Sequence, residues 1–229
     1  MTCNNSKHQG FSLVEMIVAL AILSTATAVT VPIVARNRWQ VDVDRYASQL
    51  ESGIYGLRAK LGSRKTSCSM VFPAADSFRT PETITEFSQD KNTTDFKCCD
   101  SEISQLIDDQ GCIEGHAGNK ISEITGRPLD NLRLVQKESA PESQHVRVAV
   151  STRNFGFTPP GTTANAGTLT FLICHQKALS KADPTNCIPD QERLSIRCVQ
   201  IDGTGAIERG TWVNDTSSTS TSNGRCQAT

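Results

Sequence analysis

The stretch SKHQGFSLVEMIVALAILSTATAVTVPIVARNRW, residues 6–39, decides how the chain is built. Its central part, Met16 to Ala35, is a run of twenty residues without a charge. Such a run is long enough to cross the hydrocarbon core of a bilayer as a helix. Glu15 stands one residue before the run. An acid in a bilayer costs about 2.5–3.5 kcal/mol on translocon insertion scales, so its position needs a reason.

Two ordinary interpretations of this front segment fit it poorly. A secretory signal would use Lys7 as its basic region and ATA, residues 26–28, as its cleavage site. The apolar run continues to residue 35, however, whereas a cleavable signal core has about 7–15 residues. A plain single-pass anchor has the right length but no use for Glu15. The sequence therefore favours a signal in which the acid has a function.

The motif GFSLVE, residues 10–15, followed by MIVALAIL, resembles the class III signal of type IV pilins and type II secretion pseudopilins. The resemblance implies cleavage after Gly10, N-methylation of Phe11 and retention of Glu15 as the assembly residue. Pro32 falls where the helix of that family kinks. In a growing filament, Glu15 would pair with the amine of a neighbouring subunit. Such a pair attracts strongly in a low dielectric, and either charge alone is costly there.

The sequence predicts three parts: a cleaved leader at 1–10, a helix at 11–62 with a transmembrane segment at about 12–35, and a head at 63–229. After the apolar run, apolar residues recur at steps of three and four, which is one face of an α-helix. They are Val43, Ala47, Leu50, Ile54, Leu57 and Leu61. Gly62 is the expected C-cap.

The head reads as a β-sheet that covers this apolar face. Segments 67–72, 145–150, 167–174 and 193–201 alternate or are rich in β-formers, and QIDGTGAIERG at 200–210 predicts a tight turn with a return strand. The predicted class is α+β, with an antiparallel sheet packed on the helix. The order of these pieces resembles the head of GspH/FimT-type minor pseudopilins. An irregular insert at about 74–140, with a short helix at 101–109, and a Ser/Thr-rich loop at about 214–226 complete the head.

Nine cysteines are present, and removal of the leader takes Cys3 away and leaves eight that can pair completely. No C-x-x-C pair suggests zinc, so we expect disulfides and an oxidising, extracytoplasmic compartment. Eight cysteines allow 105 pairings. A hairpin of 167–174 and 193–201 would let Cys187 close onto Cys174, and Cys226 could pin the tail to Cys198, much as pilins tie down their C-terminal loops. The remaining four would staple the insert: Cys68, Cys98, Cys99 and Cys112.

We expect neither catalysis nor a cofactor or metal. G-x-S-x-G, H-E-x-x-H and P-loop motifs are missing from the sequence. The mature chain would carry 22 basic and 24 acidic residues. FimT-like members of the family are linked to DNA uptake through basic residues near the C-terminus. Here Arg209 and Arg225 are accompanied by Glu208 and Asp215, so we do not expect DNA binding.

The sequence thus predicts a structural subunit, a minor pilin or pseudopilin of a type IV pilus or a type II secretion system. Its expected partners are other pilins, the prepilin peptidase and the inner-membrane assembly platform. It would wait in the bacterial inner membrane with its head outside the cytoplasm, and then enter a filament in the periplasm or at the cell surface. The alternative is a secreted or membrane-anchored, disulfide-rich binding domain with an ordinary signal.

Overall fold

The predicted α+β class is confirmed: a long N-terminal helix is followed by a head of antiparallel sheets. The computed structural model describes residues 12–64, 66–87, 92–100, 134–158, 162–163, 167–214 and 224–228. Its contacts divide the chain into two units, Met1–Arg38 and Trp39–Thr229.

Helix α1 spans Leu13–Arg64 and contains Pro32. It ends two residues later than predicted, because the backbone stays helical through Gly62 and strand β1 begins almost at once, at Thr66. Within the head, the predicted apolar face of α1 is buried. Four of its members are fully buried and Leu57 is 8% exposed; the four are Val43, Ala47, Leu50 and Ile54. The side chain of Leu61 lies outside the description.

Two antiparallel sheets form the head. The first has the strand order β2-β1-β4-β5, and the second has the order β3-β6-β7-β8-β9. The strands are β1 Thr66–Val71, β2 Asp95–Asp100, β3 Val146–Val150, β4 Asn154–Thr158, β5 Thr162–Thr163, β6 Leu169–His175, β7 Arg197–Ile201, β8 Ile207–Asn214 and β9 Gly224–Ala228. The short helix α2 spans Pro81–Ile84, and 3₁₀ turns occupy Lys137–Ser139, Pro141–Gln144, Gln176–Ala178 and Gln191–Arg193.

One hydrophobic core joins the second half of α1 to both sheets. Met70 and Phe157 come from the first sheet, and Phe171 and Val199 come from the second. Phe72, just after β1, meets Phe171 edge to face, with ring centroids 5.8 Å apart. The helix therefore supplies the apolar surface on which both sheets close.

The opposite face of the second sheet is also covered, by the connection between β6 and β7. All seven residues of β6 are buried because this second cluster covers the face of the strand that the main core does not, so that neither face is exposed to solvent. The members of this cluster are Phe78, Ala149, Leu172, Cys174, Ala178, Cys187, Leu194, Ile196 and Cys198.

The predicted hairpin of β6 and β7 is confirmed, as is the tight turn that leads into β8. Strand β7 begins at Arg197 and not at 193, because the preceding turn reverses the chain with left-handed backbone at Glu192 and Arg193, at φ 56° and 58°. Three predictions need correction. Strand β2 belongs to the insert and pairs with β1, so cysteines alone do not hold the insert. Residues 154–158 and 162–163, where the sequence analysis placed no strand, form β4 and β5. The end of the Ser/Thr-rich loop forms β9 on β8. The predicted helix at 101–109 lies outside the described residues.

The structure explains why a glycine stands at position 53, within helix α1. By itself a glycine weakens a helix, at a cost of about 1 kcal/mol relative to alanine. In the fold, a Cβ at Gly53 would overlap the carbonyl group of Leu134. The backbone of residues 134 and 135 reaches the helix at this point, and its N–H groups bond to Thr85. The missing side chain of Gly53 leaves the space in which the backbone of the insert packs against α1.

Candidate functional site

The start of α1 positions the one acid of the N-terminal unit that the sequence singled out. Ser12 immediately precedes the helix, and Glu15 lies in its first turn. The backbone N–H of Ser12 donates to Oε2 of Glu15 at 2.9 Å, and the N–H of Val14 donates to Oγ of Ser12 at 3.3 Å. Glu15 is therefore hydrogen-bonded within its own chain. Gly10 and Phe11, the predicted processing residues, lie outside the described residues.

The first half of α1 exposes its apolar side chains. It contains an 18-residue window that is long and apolar enough to cross a membrane, and none of that window is buried within the chain. Leu20 is 64% exposed, whereas Leu50 in the second half is not exposed at all. The other large apolar side chains exposed between 13 and 34 are Leu13, Val14, Met16, Ile17, Val18, Ile22, Leu23, Val31, Ile33 and Val34. This surface needs an apolar environment from outside the chain.

The hydroxyl groups inside the apolar run are satisfied by the helix itself. Ser24 donates to the carbonyl of Ala21 at 2.9 Å, and Thr25 donates to that of Ile22 at 2.9 Å. Thr27 and Thr30 make the same kind of bond one turn back, each at 3.0 Å. An unpaired hydroxyl in hydrocarbon would be costly, so these internal bonds make the four residues compatible with a bilayer.

In the head, the structure contains two disulfides in the described residues, and both are pairings that the sequence analysis expected. Cys174 joins Cys187 with Cα atoms 6.6 Å apart, and Cys198 joins Cys226 with Cα atoms 5.8 Å apart. Cys68 is disulfide-bonded as well. The side chains of Cys98, Cys99 and Cys112 lie outside the description, so the stapling of the insert stays a prediction.

The bond between Cys198 and Cys226 requires an unusual approach of strands. The two cysteines lie on β7 and β9, and β8 pairs with both of these strands. Second-neighbour strands are normally about 9.5 Å apart, at 4.7–4.9 Å per step. The 5.8 Å separation means that β9 leans across β8. It does so over Gly210, where a Cβ would overlap the carbonyl of Gln227.

A buried imidazole at the end of β6 lies against Trp39, the first residue of the head unit. His175 is 2% exposed, and its ring stacks on that of Trp39, with centroids 5.5 Å apart. Nδ1 of His175 accepts the N–H of Lys177 at 3.1 Å. Burial lowers the pKa of His175 to about 4, and the carboxylate of Asp42 opposes that shift. The imidazole is therefore neutral at neutral pH.

A second buried polar group ties α1 to the segment after α2. The hydroxyl of Tyr46 lies 2.6 Å from that of Thr85 and donates to Oε1 of Glu86 at 3.0 Å. Burial raises the pKa of the Glu86 carboxyl, while the bond from Tyr46 and the charge of Lys137 lower it. Burial also raises the pKa of Tyr46 well above its ordinary value. The group thus locks the docking position of the insert on the helix.

Charged side chains connect the other side of α1 to the second sheet. The guanidinium of Arg197 donates two hydrogen bonds to the carboxylate of Asp44, at 2.5 and 3.3 Å. Gln40 makes two hydrogen bonds with the backbone of Ser195: its Oε1 accepts the N–H at 2.9 Å, and its Nε2 donates to the carbonyl oxygen at 3.4 Å. Strand β7 thus brings Arg197 against Asp44, although the Asp44 side chain stays 43% exposed.

The remaining groups that could carry chemistry stay apart in the described part of the chain. Its His, Cys, Asp and Glu side chains form no cluster of three suited to a metal ion. His145 is exposed, and its Nδ1 lies 3.2 Å from Nε2 of Gln176. Arg209 lies 3.4 Å from the carboxylate of Glu51. His116 is outside the described residues.

Comparison with known families identifies the kind of signal that the N-terminal segment carries. Residues 5–31 match the model of the prokaryotic N-terminal methylation motif. The chain carries a prepilin-type signal. The resemblance to type IV pilins and pseudopilins, drawn from GFSLVE and the apolar run after it, is thereby confirmed. The match covers Gly10, Phe11, Ser12 and Glu15.

Other comparisons concern the whole chain. No curated protein matches it significantly in sequence. Two crystal forms of the type IV minor pilin FimU of Pseudomonas aeruginosa are similar to it in structure. One is 14% identical, covers 77% of this chain and 90% of its own, and gives a TM-score of 0.33. The other is 12% identical, covers 81% and 98%, and gives a TM-score of 0.35. Likeness at this level carries no conclusion about function.

Sequence reasoning missed two residues of the site. Ser12 escaped notice because the motif was considered only for its processing, although S-x-x-E before an apolar run is a known signature of a helix start. Gly210 gave no signal at all, since its importance depends on a strand that the sequence did not predict. The register of β8 and β9 creates the need for a glycine there.

Proposed function

We propose that the chain is a minor pilin or pseudopilin, a structural subunit that joins a filament through α1. One observation carries the proposal: the methylation motif at residues 5–31 is followed by a helix whose apolar side chains are exposed. A bilayer satisfies this surface before assembly, and a bundle of similar helices satisfies it afterwards.

Maturation would proceed through three partners. A prepilin peptidase cuts after Gly10 and methylates the new terminus at Phe11. An inner-membrane assembly platform then moves the subunit into the filament, where Glu15 faces the positive terminus of another pilin. The disulfides of the head support an extracytoplasmic location, because such bonds persist in oxidising compartments.

Mass spectrometry of the mature chain tests the proposal against its alternative. We expect a terminus at Phe11 that carries one added methyl group. An ordinary secretory signal predicts a terminus at Val29, and a plain anchor predicts an uncut chain. Either of these results would favour a disulfide-rich binding domain. Gly10→Val supplies the control, since a bulky residue at the cut should leave the leader in place.

Incorporation into filaments tests the role of Glu15. Glu15→Val should insert into the membrane at least as well as the natural chain, because the cost of the acid disappears. It should be missing from sheared filaments, because the neighbour's amine loses its partner. Normal amounts of Glu15→Val in the filament would contradict this role. We do not propose DNA binding; a salt-dependent gel shift by the purified protein would overturn that view.

A further inference from the structure

The hydrogen bonds around Ser12 form a variant of the capping box, in which the side chains of the N-cap residue and of the third helical residue each accept a backbone N–H at the start of a helix; here the Ser12 hydroxyl caps Val14 and not Glu15. Oε2 of Glu15 accepts the N–H of Ser12 at 2.9 Å, and Oγ of Ser12 accepts the N–H of Val14 at 3.3 Å. The carbonyl of Ser12 accepts the first helical bond, from Met16, at 3.2 Å. Ser12 thus occupies the N-cap position, and Glu15 occupies the third position of the helix.

This arrangement fixes the carboxyl group of Glu15 in space. A free glutamate side chain at a helix start has several rotamers, and ordering it costs conformational entropy. Here Oε2 is bonded to the chain's own backbone, one residue from Phe11. An ionised carboxylate offers about four acceptor sites, so one accepted bond leaves capacity for a further donor.

We propose that Ser12 is a positioning residue for assembly: the capping box orders Glu15 by a bond to one carboxylate oxygen, and the carboxylate keeps capacity to accept the amine of a neighbouring subunit. This inference rests on the proposed function. It also addresses how the acid is tolerated before assembly, because a hydrogen-bonded polar group costs less in hydrocarbon than an unpaired one. The neighbour meets a carboxyl that is already ordered, so less entropy is lost on contact.

Two substitutions at Ser12 separate the two bonds of the box. Ser12→Pro deletes both the hydroxyl and the backbone N–H that donates to Glu15, whereas Ser12→Ala deletes only the hydroxyl that caps Val14, so the difference between the two variants measures the bond to Glu15. Ser12→Thr keeps both bonds. Ser24→Ala is the matched control, since it removes a hydroxyl of the same apolar helix that bonds only to Ala21. Each chain is expressed at full length beside natural subunits, and its processing, methylation and share of sheared filaments are measured.

We expect Ser12→Pro to reduce incorporation about tenfold, which corresponds to about 1.4 kcal/mol, and Ser12→Ala to reduce it severalfold. Ser12→Thr and Ser24→Ala should incorporate normally. If Ser12→Pro and Ser12→Ala both incorporate like the natural chain while Glu15→Val fails, the inference is wrong and the proposed function stands. If Glu15→Val incorporates normally, the proposed function itself is wrong.

A direct measurement decides the matter even if a variant is not processed. In full-length protein in bilayers, with ¹⁵N-serine and glutamate labelled with ¹³C at the carboxyl, solid-state NMR should detect a coupling across about 4 Å between residues 12 and 15, since the N–H···O bond joins them directly. Ser12→Ala removes the label but not the bond, so loss of the signal in that variant assigns it. Absence of this coupling in the unassembled natural chain would overturn the inference.

Discussion

The two halves of α1 share one backbone and behave in opposite ways. Between Leu13 and Val34 the large apolar side chains are about half to three-quarters exposed, whereas Val43 to Ile54 present a stripe that is fully buried. The first half has apolar residues on every side, and the second half has them on one side. A helix that is apolar all round matches a bilayer or a bundle, and one with an apolar stripe matches a sheet.

This difference shows that one helix is adapted to two environments, the core of the head in its second half and surroundings outside the chain in its first half. The second half is stabilised within the chain, through both sheets, the Asp44–Arg197 pair and the Tyr46–Glu86 bond. The first half takes its stabilisation from outside. Substitutions should therefore affect the unfolding of the head only in the second half, and the membrane or the filament only in the first.

The largest effect is expected from Leu50→Ala. Removing a fully buried leucine side chain should lower the free energy of unfolding of the head by about 2–5 kcal/mol. Leu20→Ala removes the same atoms from an exposed position and should leave that free energy unchanged. Urea titration of the full chain in detergent micelles, followed by tryptophan fluorescence, measures both. Equal effects of the two substitutions would show that the halves do not differ in this way.

The disulfide across β8 should come next. Gly210→Ala places a Cβ where the carbonyl of Gln227 lies, so β9 cannot lean far enough for Cys226 to meet Cys198. We expect two free thiols by mass spectrometry after alkylation and a loss of about 3.6 kcal/mol, the chain-entropy value for a loop closed across a separation of 28 residues. Gly56→Ala is the control, because nothing lies near its Cβ position. A fully oxidised Gly210→Ala protein would contradict the close approach.

The pH dependence of the head should show the buried His175. Its pKa is lowered to about 4 in the folded state, against 6.5 for an ordinary histidine. Between pH 4 and pH 6.5 the imidazole is protonated in the unfolded chain but neutral in the folded chain. The stabilisation is therefore complete above pH 6.5 and is lost as the pH falls to 4, by at most about 3 kcal/mol. His175→Gln should flatten this part of the curve; an unchanged slope would refute the assignment.

Glu86 should act in the opposite direction and by less. Its raised folded-state pKa means that the folded chain binds the proton more tightly than the unfolded chain. Its contribution is complete below its ordinary pKa of 4.5 and is lost as the pH rises through the raised value. Glu86→Gln should remove this component while keeping an acceptor for Tyr46. The stability of the natural chain relative to Glu86→Gln should fall as the pH rises above 4.5, and the two unfolding curves across pH measure it; a relative stability that rises with pH would contradict the prediction.

The smallest effect is expected at Arg209 and Glu51. Their 3.4 Å contact is partly exposed to solvent, and such pairs are typically worth about 0.2–1 kcal/mol. A double-mutant cycle with Arg209→Gln and Glu51→Gln isolates the coupling and should find it weakened by salt. A coupling above this range would show that the outer side of α1 is bound to the sheet more firmly than burial alone indicates.

The sequence by itself determined whatever depends on local pattern. The motif around Gly10 and Glu15, the uncharged run after it and the stripe from Val43 to Leu57 are properties of neighbouring residues, and they predicted the signal, the helix and its buried face. The hairpin of β6 and β7 followed from two alternating segments with a loop between them, and Cys174 with Cys187 followed from that hairpin.

Only the tertiary structure decided what depends on residues far apart in the chain. Nothing near Gly53, Gly210 or Asp44 in the sequence shows that Leu134, Gln227 and Arg197 will meet them. Strand β9 forms because β8 offers it a free edge and Cys198 a bond, although its own residues read as a polar tail. Long-range pairing is set by the sum of many weak contacts over the whole head, and no local window of sequence contains that sum.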